Sequence, residues 1–196
     1  DAGLRADVEA VLESQVDGSV RPMHPLQVLV EQVGEEKIRS AVVRDLSRLR
    51  VCCYYGCLLT RPPEVMQFDA AENPRSMDDL LRWIGVKPLP WDFKTDCCGA
   101  IYAVIDPSVV VRLTARILQA AEAAGADAIV VACPFCQLNL DARQVDVNRT
   151  LGTSYRIPVV YFTQILGFAM GIDESGLGLW RLVVDAEGLL RRAARP

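Results

Sequence analysis

The spacing of hydrophobic residues changes near residue 48. Before it, apolar positions recur at helical intervals. Leu4, Val8, Val11, Leu12 and Val16 form one such series, and Pro25–Val33 and Glu36–Ser47 form two more. This period predicts three amphipathic helices. After it, short apolar runs alternate with helical stretches. "LRVCCYYG" (49–56), "ADAIVVA" (126–132) and "IPVVYF" (157–162) are nearly continuous apolar runs, as expected of strands covered on both faces. "KPLPWDF" (87–93) reads as a weaker strand, broken by two prolines. Helical periods follow over 76–85, 106–125, 133–147 and 163–171. Ser76 is placed to cap the first of these, Gly85 and Gly125 to stop the first two, and Pro107 to start the second. A last helix is expected within "AEGLLRRAAR" (186–195).

Four strands, each followed by a helix, predict an α/β fold: a parallel sheet of about four strands flanked by helices. The expected organisation is an N-terminal helical segment over 1–47, a sheet domain over 48–172, and a C-terminal tail with a helix over 173–196. The loop Leu58–Arg75 contains three prolines and no regular period. Loops of that length are usually functional.

Composition narrows the partners. The net charge is −4 and no lysine- or arginine-rich run occurs, which argues against nucleic acid. The hydrophobic fraction of 51% is high enough to suggest surface covered by other proteins. The longest uncharged stretch, Ile157–Ile172, has 16 residues and includes Pro158, Thr163 and Gln164. A membrane span needs about 20 apolar residues, so this stretch reads as a strand entering a buried helix. With no basic-then-apolar leader, a cytoplasmic protein is expected, free or peripheral to a membrane complex.

Seven cysteines change the picture most. An odd number cannot pair fully, and the chain is long enough to fold without staples, so metal or redox chemistry is the better expectation. Cys52 and Cys53 fall inside the first strand and read as small buried hydrophobes. The other five follow strand ends. Cys57 follows the first strand, Cys97 and Cys98 the second, and Cys133 the third, with Cys136 one helical turn further on. In a parallel sheet these positions share the carboxyl edge, where such folds place their sites. Cys133 is expected at an N-cap with Pro134 as first helical residue. A helix N-terminus favours thiolate, the metal-binding form. Gly99 can adopt positive φ and bring the backbone close to a bulky group.

Three chemistries compete for this set. Structural zinc takes four ligands, usually two close pairs, and five thiols exceed that. A thioredoxin-like dithiol at "CPFC" leaves Cys57, Cys97 and Cys98 without a role. An iron–sulfur cubane also takes four thiolates. Adjacent cysteines are poorly shaped to bind one iron together, but well shaped to bind neighbouring irons of an opened cluster.

Cys57, 39 residues, Cys97-Cys98-Gly99, 33 residues, then Cys133-Pro-Phe-Cys136: this pattern closely resembles the CCG cysteine-rich domain. "YYGCLLTRP", "CCGA" and "CPFCQLNLD" resemble the C-terminal CCG module of the B subunit of heterodisulfide reductase, over roughly Met23–Gly171. The resemblance implies that Cys57, Cys97, Cys98, Cys133 and Cys136 hold a noncubane [4Fe–4S] cluster. It implies a multisubunit oxidoreductase that reduces or forms disulfides in one-electron steps. The implied partners are a ferredoxin-type iron–sulfur protein like that family's C subunit, a flavin-containing protein like its A subunit, and a disulfide or thiol substrate. The family's B subunit has two modules and this chain shows one. Residues 1–50 resemble the linker after a first module, so the companion module is expected upstream or on another chain. Leu58 stands where methanogen-type members often carry His. CCG modules also resemble parts of membrane-bound lactate, glycolate and succinate oxidoreductases, where they pass electrons toward a quinone. That relay is the alternative function, and a zinc-stabilised interaction module is a third.

Arg61, four residues after Cys57, and Lys94, three before Cys97, are candidate contacts for an anionic group of the substrate; the competing reading is a solvated charge or a structural ion pair. His24, the only histidine, stands at a helix start and reads as a cap or surface residue.

Overall fold

A computed structural model describes residues 1–194. Its centre is a four-stranded parallel sheet: β1 (Arg50–Tyr54), β2 (Lys87–Pro88), β3 (Ala128–Val131) and β4 (Val159–Tyr161), in spatial order β2-β1-β3-β4. Val51 pairs with Ala128, Tyr54 with Val131, and Ile129 with Val159. The two longest apolar runs fill the middle of the sheet. Ala128 to Val131 and Val51 to Tyr54 are fully buried, as strands covered on both faces must be.

Strand alternation divides these residues between two cores. Val51, Cys53, Val130 and Val160 pack on one face with Leu26, Ile38, Leu80 and Ile165. Cys52, Tyr54, Ile129 and Val131 pack on the other with Leu118, Cys136 and Leu140. The first face is covered by α2 (Pro25–Val28), which runs on as a π-helical turn to Val33, by α3 (Glu35–Ser40), α5 (Ser76–Trp83) and α9 (Phe162–Ala169). The second is covered by α6 (Pro107–Ala123), α7 (Pro134–Ala142) and α8 (Gln144–Leu151). The remaining helices are α1 (Ala2–Leu12), α4 (Pro63–Met66), α10 (Glu174–Leu177) and α11 (Leu189–Ala193).

Several expectations are adjusted in detail. The strand expected over 87–93 shrinks to two residues at the sheet edge. Lys87 N and Leu89 N donate to Leu49 O and Val51 O, but the next acceptor along β1, Cys53 O, is taken by the Trp91 indole N–H at 2.9 Å, so the ladder ends there; Pro88 and Pro90 turn their missing N–H to the open edge. The single helix expected over 133–147 is two, divided at Arg143. Gln144 starts the second and is buried. Its Nε2 donates to Ile157 O at 2.7 Å, and Ile157 N donates to its Oε1 at 3.0 Å, which ties α8 to the chain entering β4. The N-terminal region is not uniform: α1 has no buried residue, whereas Leu26 and Ile38 are fully buried in the sheet's own core. Arg191 is solvent-facing, yet its Nε pairs at 2.6 Å with buried Glu174. Among the described residues, no helix is long and apolar enough to cross a membrane.

Candidate metal centre

Parallel pairing brings the carboxyl ends of β1 and β3 side by side, and loop hydrogen bonds do the rest. After β1, the Tyr55 and Gly56 N–H groups both donate to Lys94 O, at 2.8 and 3.1 Å. The Tyr54 hydroxyl donates to Asp96 O at 2.5 Å. The segment before Cys97 is thus stitched to the segment before Cys57, and their Sγ atoms lie 4.0 Å apart. On the buried side, Cys98 Sγ lies 3.7 Å from Cys136 Sγ. Cys133 occupies the N-cap position of α7 with extended backbone, beside Cys136 one turn on. The five thiols therefore gather at one sheet edge. They run from exposed Cys97, through half-buried Cys57 and Cys133, to buried Cys98 and Cys136.

Two glycines make room. Gly99 has φ 81°, and a Cβ there would lie 3.0 Å from Leu113 Cδ1 and 3.3 Å from Val110 Cα, so the turn after Cys98 packs directly on α6. Gly56 has φ 72°, and a Cβ there would lie 2.8 Å from Cys136 Sγ. That is closer than real Cβ contacts come, so Cys136 reaches its place only because residue 56 has no side chain.

The electrostatics divide the thiols. Cys133 is lowered to about 6, chiefly by a hydrogen bond from the Cys136 thiol, with help from backbone N–H groups in the first turn of α7. Cys98 is lowered to about 7, again chiefly by the Cys136 thiol, with Ala100 N–H and the Asn139 side chain also donating. Cys136 is correspondingly pushed up, because its proton serves both neighbours. Burial, and then the nearby Cys97, push Cys57 up to about 11. Burial also pushes Cys52 up to about 12 and Cys53 well above the usual thiol range; both are fully buried in β1.

An all-sulfur donor set with two low-pKa members suits soft metals and iron–sulfur clusters. Five sulfurs exceed zinc's usual four. Among the described residues, no three Cys, His, Asp or Glu side chains are arranged as a ready single-ion site. The thiols stand instead as close pairs, Cys57 with Cys97 and Cys98 with Cys136. Donor number and donor type together fit a multi-iron cluster better than a single ion.

Lys94 is buried. Its Nζ donates to Asp78 Oδ1 at 3.0 Å and to Pro74 O at 2.8 Å, and Asp78 Oδ2 accepts from the Tyr55 hydroxyl at 2.7 Å. This is the structural ion pair of the two readings. Arg61 is one-third exposed; its Nε donates to Ala71 O at 3.1 Å, and a terminal nitrogen meets Glu72 at 3.2 Å and Thr95 Oγ1. Arg61 thus joins the proline-rich loop to the segment before Cys97. His24 does cap α2, its Nδ1 accepting from Leu26 N at 3.1 Å. Its Nε2 then donates to Ala132 O at 3.1 Å, just before Cys133.

Two residues beside the thiols escape a sequence reading. Gly56 looks like a strand end, although its place next to Cys57 mirrors that of Gly99 next to Cys98. Asn139 is three positions after Cys136, hence on the same helix face. Its Nδ2 donates to Cys98 O at 3.3 Å and lies 3.7 Å from Cys98 Sγ. Close to the cysteines in sequence, Leu58, Ile101, Val104, Ile105, Phe135 and Leu138 are exposed apolar residues. Two cavities, of about 560 Å³ against α8 and about 440 Å³ beside β2, contain no cysteine.

Residues 51–141 match the family described as CCG, cysteine-rich domain. The membrane anchor subunit of 8-methylmenaquinol:fumarate reductase from Wolinella succinogenes is 34% identical over 166 residues, covering 84% of this chain and 57% of that protein. The B subunit of the ferredoxin/F420H2-dependent CoB-CoM heterodisulfide reductase from Methanosarcina acetivorans is 34% identical over 164 residues, covering 83% of this chain and 54% of that protein. The chain thus spans little more than half the length of the curated relatives it matches. A hypothetical protein from Helicobacter pylori, 12% identical, superposes with a TM-score of 0.60 over 78% of this chain and 28% of that one, a likeness of fold alone. Residues 51–141 thus match a CCG cysteine-rich domain, and over most of its length the chain is similar to the B subunit of heterodisulfide reductase.

Proposed function

We propose that this chain is an iron–sulfur component of a heterodisulfide-reductase-like oxidoreductase. Cys57, Cys97, Cys98, Cys133 and Cys136 hold a noncubane [4Fe–4S] cluster. The observation that carries this is the gathering of five thiols at the carboxyl edge of the sheet, with Cys97 exposed, Cys57 and Cys133 half-buried, and Cys98 and Cys136 buried. Such a cluster, when bound, supplies single electrons and an iron able to take up a substrate sulfur.

The protein's own contribution is positional. Gly56 and Gly99 let the backbone and Cys136 come close. Tyr54 and the Lys94 carbonyl lock the two exposed loops together. Reducing a disulfide consumes two electrons and two protons and releases two thiols. The electrons are delivered one at a time by a ferredoxin-type iron–sulfur partner, which is fed in turn by a flavin-containing protein. The exposed apolar residues that flank the cysteines in sequence suit burial against a companion CCG module or another protein of the complex. Arg61, at the solvent edge of the proline-rich loop, is the better placed of the two candidate anion contacts; Lys94 is committed to Asp78.

The test is anaerobic reconstitution with iron and sulfide. The expected result is about four irons per chain and a paramagnetic signal that changes when a disulfide is added. A colourless protein that takes up zinc and no iron would overturn the assignment. The Wolinella relative supports a second reading, since its name pairs a quinol with fumarate and includes no disulfide. A cluster signal indifferent to every disulfide and thiol tried, but oxidised by a quinone, would favour a relay.

A further inference from the structure

Cys97 and Cys98 are neighbours in sequence and unlike in surroundings. Cys97 is exposed; its sulfur accepts from Gly99 N at 3.3 Å and lies near Cys57. Cys98 is 3% exposed and faces α7. There it meets Asn139, itself 4% exposed, whose single Nδ2 is 3.3 Å from Cys98 O and 3.7 Å from Cys98 Sγ. Next to Asn139, Leu140 is fully buried in the apolar core against the sheet. A leucine at 139 would bury at no polar cost, whereas a buried amide is unfavourable unless bonded. The bonds it makes lead to the adjacent-cysteine turn.

We propose that Asn139 is a positioning residue that makes the adjacent cysteines unequal, by giving the buried Cys98 sulfur and peptide a buried side-chain amide, while exposed Cys97 takes its N–H from the Gly99 backbone. This deepens the cluster assignment above and rests on it. Its bond to Cys98 O holds the turn against α7. Its N–H toward Cys98 Sγ offsets negative charge on that sulfur, and in an apolar setting such a bond is strong. Hydrogen bonds to ligand sulfurs raise the reduction potential of a cluster. Asn139 therefore favours the reduced state, and it acts through Cys98 alone of the two neighbours.

The test uses the full chain, reconstituted anaerobically with iron and sulfide. Asn139→Leu keeps the branched shape and removes the donor, Asn139→Ser shortens its reach, and Asn139→Gln retains an amide. In the first two, the iron content stays that of wild type and the reduction equilibrium falls about tenfold, ~59 mV for one electron. The Gln variant recovers part of the shift. Leu140→Met, which alters packing on the same helix without touching a donor, leaves the potential where it was. A second measurement needs no variant: in wild type labelled with ¹⁵N at the asparagine side chain, pulsed paramagnetic resonance shows a nitrogen coupling to the reduced cluster. Unchanged potentials in iron-loaded Leu and Ser variants, or absence of that coupling, overturn the role of Asn139 and leave the cluster assignment standing. A wild type that takes up no iron overturns both.

Discussion

Replacing Gly56 by alanine puts a methyl group where the structure has none to spare. The new Cβ would lie 2.8 Å from Cys136 Sγ, and residue 56 has φ 72°, where a non-glycine residue is strained. The backbone part costs about 1–2 kcal/mol. Overpacking a tight site costs typically another 1–3 kcal/mol. Together these make about 2–5 kcal/mol, or roughly thirtyfold and upward in an equilibrium constant. Gly152 separates the two contributions: it has φ 67° with nothing within 4 Å of its would-be Cβ, so Gly152→Ala suffers only the backbone part. The assay pairs thermal unfolding of the apoprotein with iron content after anaerobic reconstitution. For a chain of this size about 1 kcal/mol moves the midpoint by roughly 2–4 °C. Gly152→Ala should lose a few degrees and load iron fully. Gly56→Ala should lose more, or else swing Cys136 aside and bind less iron. If Gly56→Ala matches Gly152→Ala in both midpoint and iron content, the contact with Cys136 does not constrain the site and the reasoning is wrong.

Other substitutions probe different parts of the structure. Cys97→Ser, at an exposed thiol, should lower iron uptake with little change in the apoprotein's melting temperature, whereas Cys52→Ala, inside β1, should lower the melting temperature and leave iron uptake intact. Asp78→Ala strands the Lys94 ammonium in a buried site and should cost about 3–5 kcal/mol by denaturant unfolding; pairing it with Lys94→Met should recover a large part of that. Leu118→Ala, fully buried against the second face of the sheet, should cost about 2–5 kcal/mol through the cavity it leaves.

Much of this architecture could be read from the chain alone, because its signals are local. A continuous apolar run such as 128–131 calls for cover on both faces, and a helical period calls for one buried stripe, so strands, helices and their alternation follow. Alternation implies a parallel sheet, and a parallel sheet sends every post-strand cysteine to one edge. That logic reached the five thiols, and it set Cys52 and Cys53 apart as core residues. Other features depend on residues far apart in sequence and needed the tertiary structure. Lys94 could be read as a ligand contact or an ion pair until its partner, 16 positions earlier, was seen at 3.0 Å. Gly56 matters because of a sulfur 80 positions away, and Asn139 because of one 41 positions away. Periodicity reports which face a residue takes. It does not report which atom waits on that face, and here that atom decides which glycine is indispensable and which cysteine carries a hydrogen bond from a buried amide.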